Sequence, residues 1–84
     1  MYEVKFSQSA EKDFYKLEKH MQKRIVVALE RIRIRPYPYV KKLVGNAYFS
    51  FRVGKYRLIL DIQDTQLIIF VIDLGLRKNI YDSF

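Results

Sequence analysis

The segment FRVGKYR, residues 51–57, predicts a β-hairpin from which the rest of the chain can be placed. Gly54 followed by Lys55 fits a two-residue turn with glycine first, whose twist matches that of the flanking strands. Pairing outward from this turn puts Arg52 directly opposite Arg57, and like charges in that arrangement are destabilising. The facing arginines therefore mark the hairpin as a candidate functional feature.

Side chains alternate along a strand, so this hairpin has two unlike faces. One face is apolar and comprises Phe49, Phe51, Val53, Tyr56, Leu58 and Leu60. The other is mixed, polar and cationic, and comprises Tyr48, Ser50, Arg52, Arg57, Ile59 and Asp61. We interpret the first face as core and the second as a working surface.

The segment before the hairpin predicts one strand and two helices. Residues 2–6 alternate as a strand does, and either Ser7 or Ser9 can cap the helix that follows. Apolar residues then recur at helical spacing through two segments, and a boundary near Lys19–His20 is left open. Pro36 ends the second helix, because proline disfavours helical geometry in the residue before it.

Three strands are predicted at about 48–53, 56–62 and 66–74, after a loop over 36–47. The last strand is apolar on both faces, as expected of a central strand covered by helices on one side. The element order is then β-α-α-β-β-β. We expect an α+β fold in which a small, twisted, mainly antiparallel sheet carries two N-terminal helices on one face, as a single domain over 1–84.

Sixteen Lys and Arg against nine Asp and Glu give a formal net charge of +7. Residues 1–43 hold eleven of the basic and five of the acidic side chains. This balance fits a nucleic-acid binder, and it also fits a basic surface matched to an acidic protein partner. The sequence shows no signal-like or membrane-length apolar stretch, so we expect a soluble cytoplasmic protein without a membrane partner.

The usual catalytic constellations are missing from the sequence. The chain has one histidine, no cysteine and no carboxylates at ligand-like spacing, so neither a metal site nor a cofactor is expected. Three glycines do not form a phosphate-binding loop. A Ser-His-Asp set would depend on His20, for which a surface or capping role is expected instead.

Arginines remain as candidates for chemistry. Arg52, Arg57 and Arg77, with Lys78, would converge on one anion, because planar guanidinium groups clamp phosphate and stabilise developing charge. Tyr81 follows Arg77 by four residues and would relay a proton or stack on a base. The candidate RNA-binding residues are Arg52, Lys42, Arg35, Lys23 and Lys78.

Each basic group has a structural alternative. Arg57 and Arg77 would instead pair with Asp61, Asp73 or Asp82, with Tyr81 packed on the sheet edge. The basic helical residues would form the solvated side of amphipathic helices rather than a surface that follows phosphates.

Four segments in order, FSQSAEKDFYKL, RPYPYVKKLVGNAY, FRVGKYRLIL and IDLGLRKNIY, resemble the RelE/ParE toxin superfamily of bacterial and archaeal toxin–antitoxin systems. The match covers nearly the whole chain, and its most specific parts are the hairpin and the G-x-R…Y ending. The resemblance implies a RelE-like fold. It also implies a cognate RelB-like antitoxin, acidic or amphipathic, that wraps and neutralises the toxin.

For the RelE branch, the resemblance implies a metal-independent endoribonuclease that cuts mRNA in the 30S ribosomal A site and so inhibits translation. The 2′-hydroxyl attacks the adjacent phosphate, leaving a 2′,3′-cyclic phosphate and a 5′-hydroxyl. In that scheme Arg57 stabilises the scissile phosphate, and Arg77 protonates or stabilises the leaving group. Tyr81 stacks on the base and orients the 2′-hydroxyl.

One departure from the family pattern concerns the strand before the hairpin, where the resemblance implies lysines. Phe49 and Phe51 stand there, only Arg52 is cationic, and the Glu–His variant does not fit either. We therefore expect charge stabilisation by the three arginines to dominate, with proton removal left to Tyr81, the ribosome or water. The alternatives are a ParE-like toxin that poisons DNA gyrase without nuclease activity, or a weak enzyme that mainly binds its antitoxin and regulates the operon.

Overall fold

The computed structural model describes residues 1–77 and contains a five-stranded sheet with two α-helices packed on one face. The helices are α1 (Gln8–Tyr15) and α2 (Lys19–Ile32), and a 3₁₀ turn occupies Tyr37–Tyr39. The strands are β1 (Glu3–Phe6), β2 (Lys41–Lys42), β3 (Phe49–Val53), β4 (Tyr56–Gln63) and β5 (Ile68–Leu76). This arrangement confirms the predicted α+β fold.

The strands lie in the order β1-β5-β4-β3-β2. β1 runs parallel to β5, with Val4 beside Ile69, and the other pairs are antiparallel. β5 therefore has a neighbour on both sides, which confirms the central position predicted from its apolar sequence. A register shift between β4 and β5 pairs Ile59 with Asp73 and Leu60 with Val71, so the pairing skips Ile72 of β5.

The core lies between the helices and the inner face of the sheet. Phe14 of α1 packs edge-on against Phe6 with ring centres 5.3 Å apart, and Ile25 of α2 is fully buried. Burying an aliphatic or aromatic side chain contributes about 1.5–3 kcal/mol relative to leaving it exposed. The buried cluster comprises Ala10, Phe14, Met21, Ile25, Leu29, Ile32, Phe51, Val53, Leu58, Leu60, Ile69, Val71 and Leu74.

Ser7, rather than Ser9, caps α1. Its Oγ accepts a hydrogen bond from the N–H of Ala10 at 3.1 Å and donates to the carbonyl of Ile72 at 2.9 Å. The first contact satisfies an otherwise unpaired helical donor, and the second fixes the helix to β5. The cap thus sets both the start of the helix and its position on the sheet.

The break between the helices lies at residues 16–18, just before the predicted boundary. Gln22 is buried, and its Nε2 donates to the carbonyl of Leu17 at 2.9 Å, which ties α2 to the end of α1. α2 has fourteen residues. Neither helix in the described part of the chain is long and apolar enough to cross a membrane.

The prediction of a loop over 36–47 is wrong in part, because this range contains a 3₁₀ turn and a short strand. Pro36 begins the 3₁₀ turn rather than ending α2, which stops at Ile32. Lys41 and Lys42 form an edge strand paired with Ser50 and Phe49. A two-residue strand is too short for a periodic pattern, and it forms because β3 offers backbone partners. The ladder stops at Ser50, so residues 51–53 of β3 have no strand beside their outer edge within the described chain.

Candidate nucleic-acid interface

The β3–β4 turn has the predicted geometry. Gly54 has a φ of 59°, whereas Lys55 lies outside the left-handed region, as expected of a two-residue turn with glycine first. Val53 pairs with Tyr56 and Arg52 pairs with Arg57. The structure thus confirms that two arginines face each other across the hairpin.

A third arginine joins them from the neighbouring strand. Arg57 pairs on its other side with Gly75 of β5, and Arg77 follows two residues later. The backbone N–H of Arg77 donates to the carbonyl of Lys55 at 3.0 Å, which holds the chain after β5 against the hairpin turn. We call Arg52, Arg57 and Arg77 the arginine cluster.

The charges of the cluster act on one another. Arg57 is only 7% exposed, whereas Arg52 is exposed and Arg77 is half-buried. Burial first, and then the charges of Arg77 and Arg52, lower the pKa of the Arg57 guanidinium from its ordinary value. An arginine remains protonated in a protein, so this shift reflects the cost of burying a charged guanidinium, to which the two neighbouring positive charges add. An anion bound at the cluster would relieve it.

Two carboxylates considered as structural partners make other contacts. Asp61 accepts a hydrogen bond from Gln63 Nε2 at 3.1 Å, and Asp73 Oδ1 accepts from the backbone N–H of Leu74 at 2.9 Å. Asp82 lies outside the described residues. The two described carboxylates thus have local hydrogen-bond donors of their own.

The register of β3 confirms that Phe49 and Phe51 belong to the apolar face predicted from the alternation. Phe49 and Phe51 pair with Leu60 and Leu58 on the helix side of the sheet, and Phe51 is 7% exposed. Because side chains alternate, neither position faces the arginine cluster. On the face that carries the cluster, β3 itself presents Ser50 and Arg52. The substitution of lysine by phenylalanine inferred from the resemblance therefore does not bear on the base.

A groove of about 600 Å³ lies between α2 and β3. Its lining residues are Lys23, Arg24, Val27, Ala28, Arg31, Ile32, Tyr39, Phe51, Arg52, Val53 and Gly54. We call it the α2–β3 groove. Four of these described residues are cationic and none is acidic, so the groove extends the positive surface from Arg52 onto the helix side.

Arg31 and Arg24 line this groove, although neither was among the candidate RNA-binding residues predicted from the sequence. Arg24 lies next to Gly54. Its Nη1 lies 3.1 Å from the position that a Cβ on Gly54 would occupy, so its guanidinium rests on the hairpin turn. The two residues are far apart in sequence, and no local pattern connects them. The contact arises from the packing of α2 on the sheet.

The other predicted site residues are more scattered. Lys23 lines the groove, whereas Arg35 is exposed beyond α2 and is not among the lining residues. Lys42 donates through Nζ to the carbonyls of Leu43 and Asn46, and this Nζ lies 5.7 Å from the ring centre of Phe49. The predictions for Lys78 and Tyr81 fall outside the described residues.

A separate polar cluster lies near the β4–β5 turn. Asp64 accepts hydrogen bonds from the hydroxyls of Tyr2 at 2.6 Å and Tyr37 at 2.7 Å. The pKa of Tyr37 is raised to about 12, mainly by loss of solvent and to a smaller extent by the hydrogen bond to Asp64 and the charge of Asp64. The same hydrogen bonds lower the pKa of Asp64 from its ordinary value. We call these three residues the tyrosine–aspartate cluster, and it joins the residue before β1, the 3₁₀ turn and the β4–β5 turn.

The described residues contain no group of three or more His, Cys, Asp or Glu side chains that would hold a metal ion. His20 is exposed in the first turn of α2, with its Nδ1 3.2 Å from the carboxylate of Glu18. This position confirms the surface role expected for the single histidine.

The fold and the arginine cluster together define a small α+β protein whose hairpin concentrates positive charge. Residues 4–81 match the family model described as the ParE toxin of the type II toxin–antitoxin system parDE. The chain therefore belongs to the RelE/ParE toxin superfamily, and it is a toxin of the type II toxin–antitoxin class.

Individual relatives support this assignment. An Escherichia coli protein described as a candidate RelE-like toxin is 34% identical over 81 residues, covering 93% of this chain and 85% of that protein. The structure is similar to that of the RelBE2 toxin–antitoxin complex from Mycobacterium tuberculosis, with a TM-score of 0.82, 27% identity and 93% coverage of each chain. The archaeal RelE–RelB complex from Pyrococcus horikoshii gives a TM-score of 0.81 and 25% identity, covering 93% of this chain and 97% of that chain.

Proposed function

We propose that this toxin is a metal-independent endoribonuclease that cuts mRNA in the ribosomal A site and thereby inhibits translation. The observation that supports this proposal is the arginine cluster, in which burial, and then the charges of Arg77 and Arg52, lowers the pKa of Arg57. Such a concentration of positive charge on a rigid hairpin suits a phosphate that becomes more negative during reaction.

In the proposed reaction, the 2′-hydroxyl oxygen attacks the adjacent phosphorus and loses its proton. The bond from phosphorus to the 5′-oxygen breaks, leaving a 2′,3′-cyclic phosphate and a 5′-hydroxyl. Negative charge develops on the non-bridging oxygens at the transition state. Arg57 would bind these oxygens, because its burial restricts the guanidinium and strengthens its electrostatic effect.

Arg77 would stabilise or protonate the departing 5′-oxygen, and Arg52 would hold the strand at the exposed edge of the hairpin. Proton removal from the 2′-hydroxyl is assigned to Tyr81, a ribosomal group or water. β3 itself supplies no base on the face of the cluster, where it presents Ser50 and Arg52. Tyr81 would also stack on the base beside the cut.

The proposed neutralising partner is a RelB-like antitoxin. The Mycobacterium tuberculosis and Pyrococcus horikoshii structures are both complexes of a toxin with an antitoxin. The net charge of +7 favours a partner with acidic segments. Binding of carboxylates near the arginine cluster would compete with phosphate.

The test maps the 5′ ends of mRNA in a purified translation reaction with added toxin. Cuts that recur at codon spacing and require ribosomes are expected, each with a 5′-hydroxyl on the downstream fragment. An Arg57→Ala variant is the matched negative control. Ribosome-independent cleavage, or none by the folded wild-type protein, would contradict the proposal.

The second candidate function is that of a ParE-like toxin acting on DNA gyrase without nuclease activity. The observation that favours it is the matching family model, which describes a ParE toxin. A gyrase assay that scores trapped double-strand breaks separates the two functions. Trapped breaks without mRNA cleavage would support the gyrase function.

A further inference from the structure

The α2–β3 groove begins where the arginine cluster ends. Arg52 belongs to both, because it pairs with Arg57 on the sheet and also lines the groove at the outer edge of β3. Arg24 lies beside it, with its guanidinium on the hairpin turn. Positive charge therefore continues from one side of the sheet edge to the other.

Along α2 the groove has a regular cationic wall. Lys23, Val27 and Arg31 are spaced by four residues, so they lie on one face of the helix. Eight residues of helix separate the two cations by about 12 Å at about 1.5 Å per residue. That length corresponds to roughly three to four stacked nucleotides at about 3.4 Å each.

The groove also offers surfaces for bases. Tyr39 is 52% exposed and Val27 is 59% exposed, although both line the groove. A cationic channel with an exposed aromatic ring is the combination that binds single-stranded nucleic acid without a strict sequence requirement. The backbone would follow Lys23, Arg24 and Arg31, while a base stacks on Tyr39.

We propose that the α2–β3 groove binds the single RNA strand that leads to or from the cut, as a second site continuous with the arginine cluster. The inference rests on the proposed nuclease function and extends it by three to four nucleotides. A strand with its scissile phosphate at Arg57 passes Arg52 at the edge of the sheet and enters the groove. None of the described residues along this path through the groove is acidic.

An acidic polypeptide would match the same charges, and the exposed apolar side chains would suit it. The shared position of Arg52 favours RNA, because it makes the groove continuous with a site built for phosphate. A polypeptide occupant is therefore treated as a distinct outcome of the test.

The test uses two uncleavable probes, a 2′-O-methyl uridine octamer and the matching dinucleotide, each carrying a fluorophore. Affinity is measured by anisotropy over a series of salt concentrations. The groove variant is Lys23→Ala/Arg31→Ala. Its charge-matched control is Lys12→Ala/Lys16→Ala, which removes two exposed lysines of the α1 region that do not line the groove.

The groove variant is expected to lower the salt-dependence slope for the octamer by about 1.4, from two phosphate contacts at about 0.7 each. Its affinity for the dinucleotide should stay at the wild-type value, and the control should leave both probes unchanged. Tyr39→Ala should weaken octamer binding about fivefold or more, whereas Tyr15→Ala, an exposed tyrosine on α1, should not.

Equal slopes for the groove variant and its control would overturn the proposal, as would a wild-type protein that binds the octamer no better than the dinucleotide. Normal octamer binding together with lost binding of the antitoxin would assign the groove to a polypeptide instead. Failure of the nuclease function is detected separately, by wild-type rates of mRNA cleavage in Arg57→Ala.

Discussion

The backbone N–H of Arg77 donates a hydrogen bond to the carbonyl oxygen of Lys55 across 3.0 Å. This bond fixes the end of β5 against the turn that separates Arg52 from Arg57. The side chain of Arg77 takes no part in it, so the position of the chain and the charge of the guanidinium can be altered independently. The charge of Arg77 can therefore be removed by substitution without removing this backbone hydrogen bond.

Arg57→Ala and Arg77→Ala should each reduce cleavage of ribosome-bound mRNA by about 10²–10³-fold, by analogy with removing a donor that stabilises an oxyanion. Arg77→Ala keeps the hydrogen bond to Lys55, so its fold should be unchanged. The rate is measured from the appearance of new 5′ ends, and folding from circular dichroism. Lys12→Ala is the control, and wild-type rates in both arginine variants would remove these residues from the mechanism.

Arg52→Gln should make the protein more stable at low salt. Arg52 directly faces Arg57, and such a like-charge pair costs about 0.2–1 kcal/mol. The gain in free energy of unfolding, measured with urea, should shrink as salt screens the pair. Arg35→Gln is the matched control, because it removes an exposed arginine outside the hairpin. A gain of the same size in both variants would point to general charge reduction rather than to this pair.

Gly54→Ala should be more destabilising than Gly45→Ala. Both glycines have positive φ, 59° and 86°, where a non-glycine residue costs about 1–2 kcal/mol. A Cβ at residue 54 would also press on Arg24 at 3.1 Å, whereas one at residue 45 would meet nothing within 4 Å. Thermal and urea denaturation measure the loss in free energy of unfolding for each of the two variants.

The excess loss at Gly54 should shrink when Arg24 is already alanine, because the side chain that would be displaced is then absent. A double-mutant cycle over Gly54→Ala and Arg24→Ala measures this coupling. Full additivity would mean that the guanidinium does not rest on the turn in solution.

Tyr37 should ionise near its pKa of about 12, above the value of about 10 for an ordinary tyrosine. Its protonated form is favoured in the folded state, so the stability it contributes is present below about pH 10 and is lost as the pH rises through about 12. The titration of Tyr37 is obtained from the difference in tyrosinate absorbance between wild type and Tyr37→Phe. Asp64→Asn should lower the pKa of Tyr37 without restoring the ordinary tyrosine value, because loss of solvent is the larger cause of the shift. Tyr15→Phe is the control.

The pKa of Asp64 is shifted in the opposite direction to that of Tyr37, so its effect on stability has the opposite dependence on pH. Its pKa is lowered by the hydrogen bonds from Tyr2 and Tyr37, so its stabilising effect is present above the unfolded pKa of about 3.9 and is lost as the pH falls through the lower folded value. Wild type should therefore lose stability in acid more steeply than Asp64→Asn. Parallel acid-unfolding curves would show that the tyrosine–aspartate cluster does not couple to folding.

Local patterns in the sequence were sufficient for most of the fold. The alternation around Gly54 gave the hairpin register, including the facing arginines, because turn geometry fixes which residues pair. The break between the helices was placed less well, since it depends on the buried amide of Gln22, whose partner lies in the preceding turn. The edge strand at Lys41–Lys42 was missed because a strand of two residues is too short to show an alternating pattern of apolar and polar side chains.

Some features of the candidate site could likewise be predicted from the sequence, whereas others depend on tertiary packing. The sequence by itself determined the charge, the hairpin and the types of side chain near it, because these follow from composition and from contacts between neighbouring residues. Tertiary structure decided that Arg77 is held at the turn and that Arg24 lies on Gly54. Those placements depend on how α2 and β5 pack against the hairpin. Contacts between elements far apart in sequence leave no periodic trace within either one.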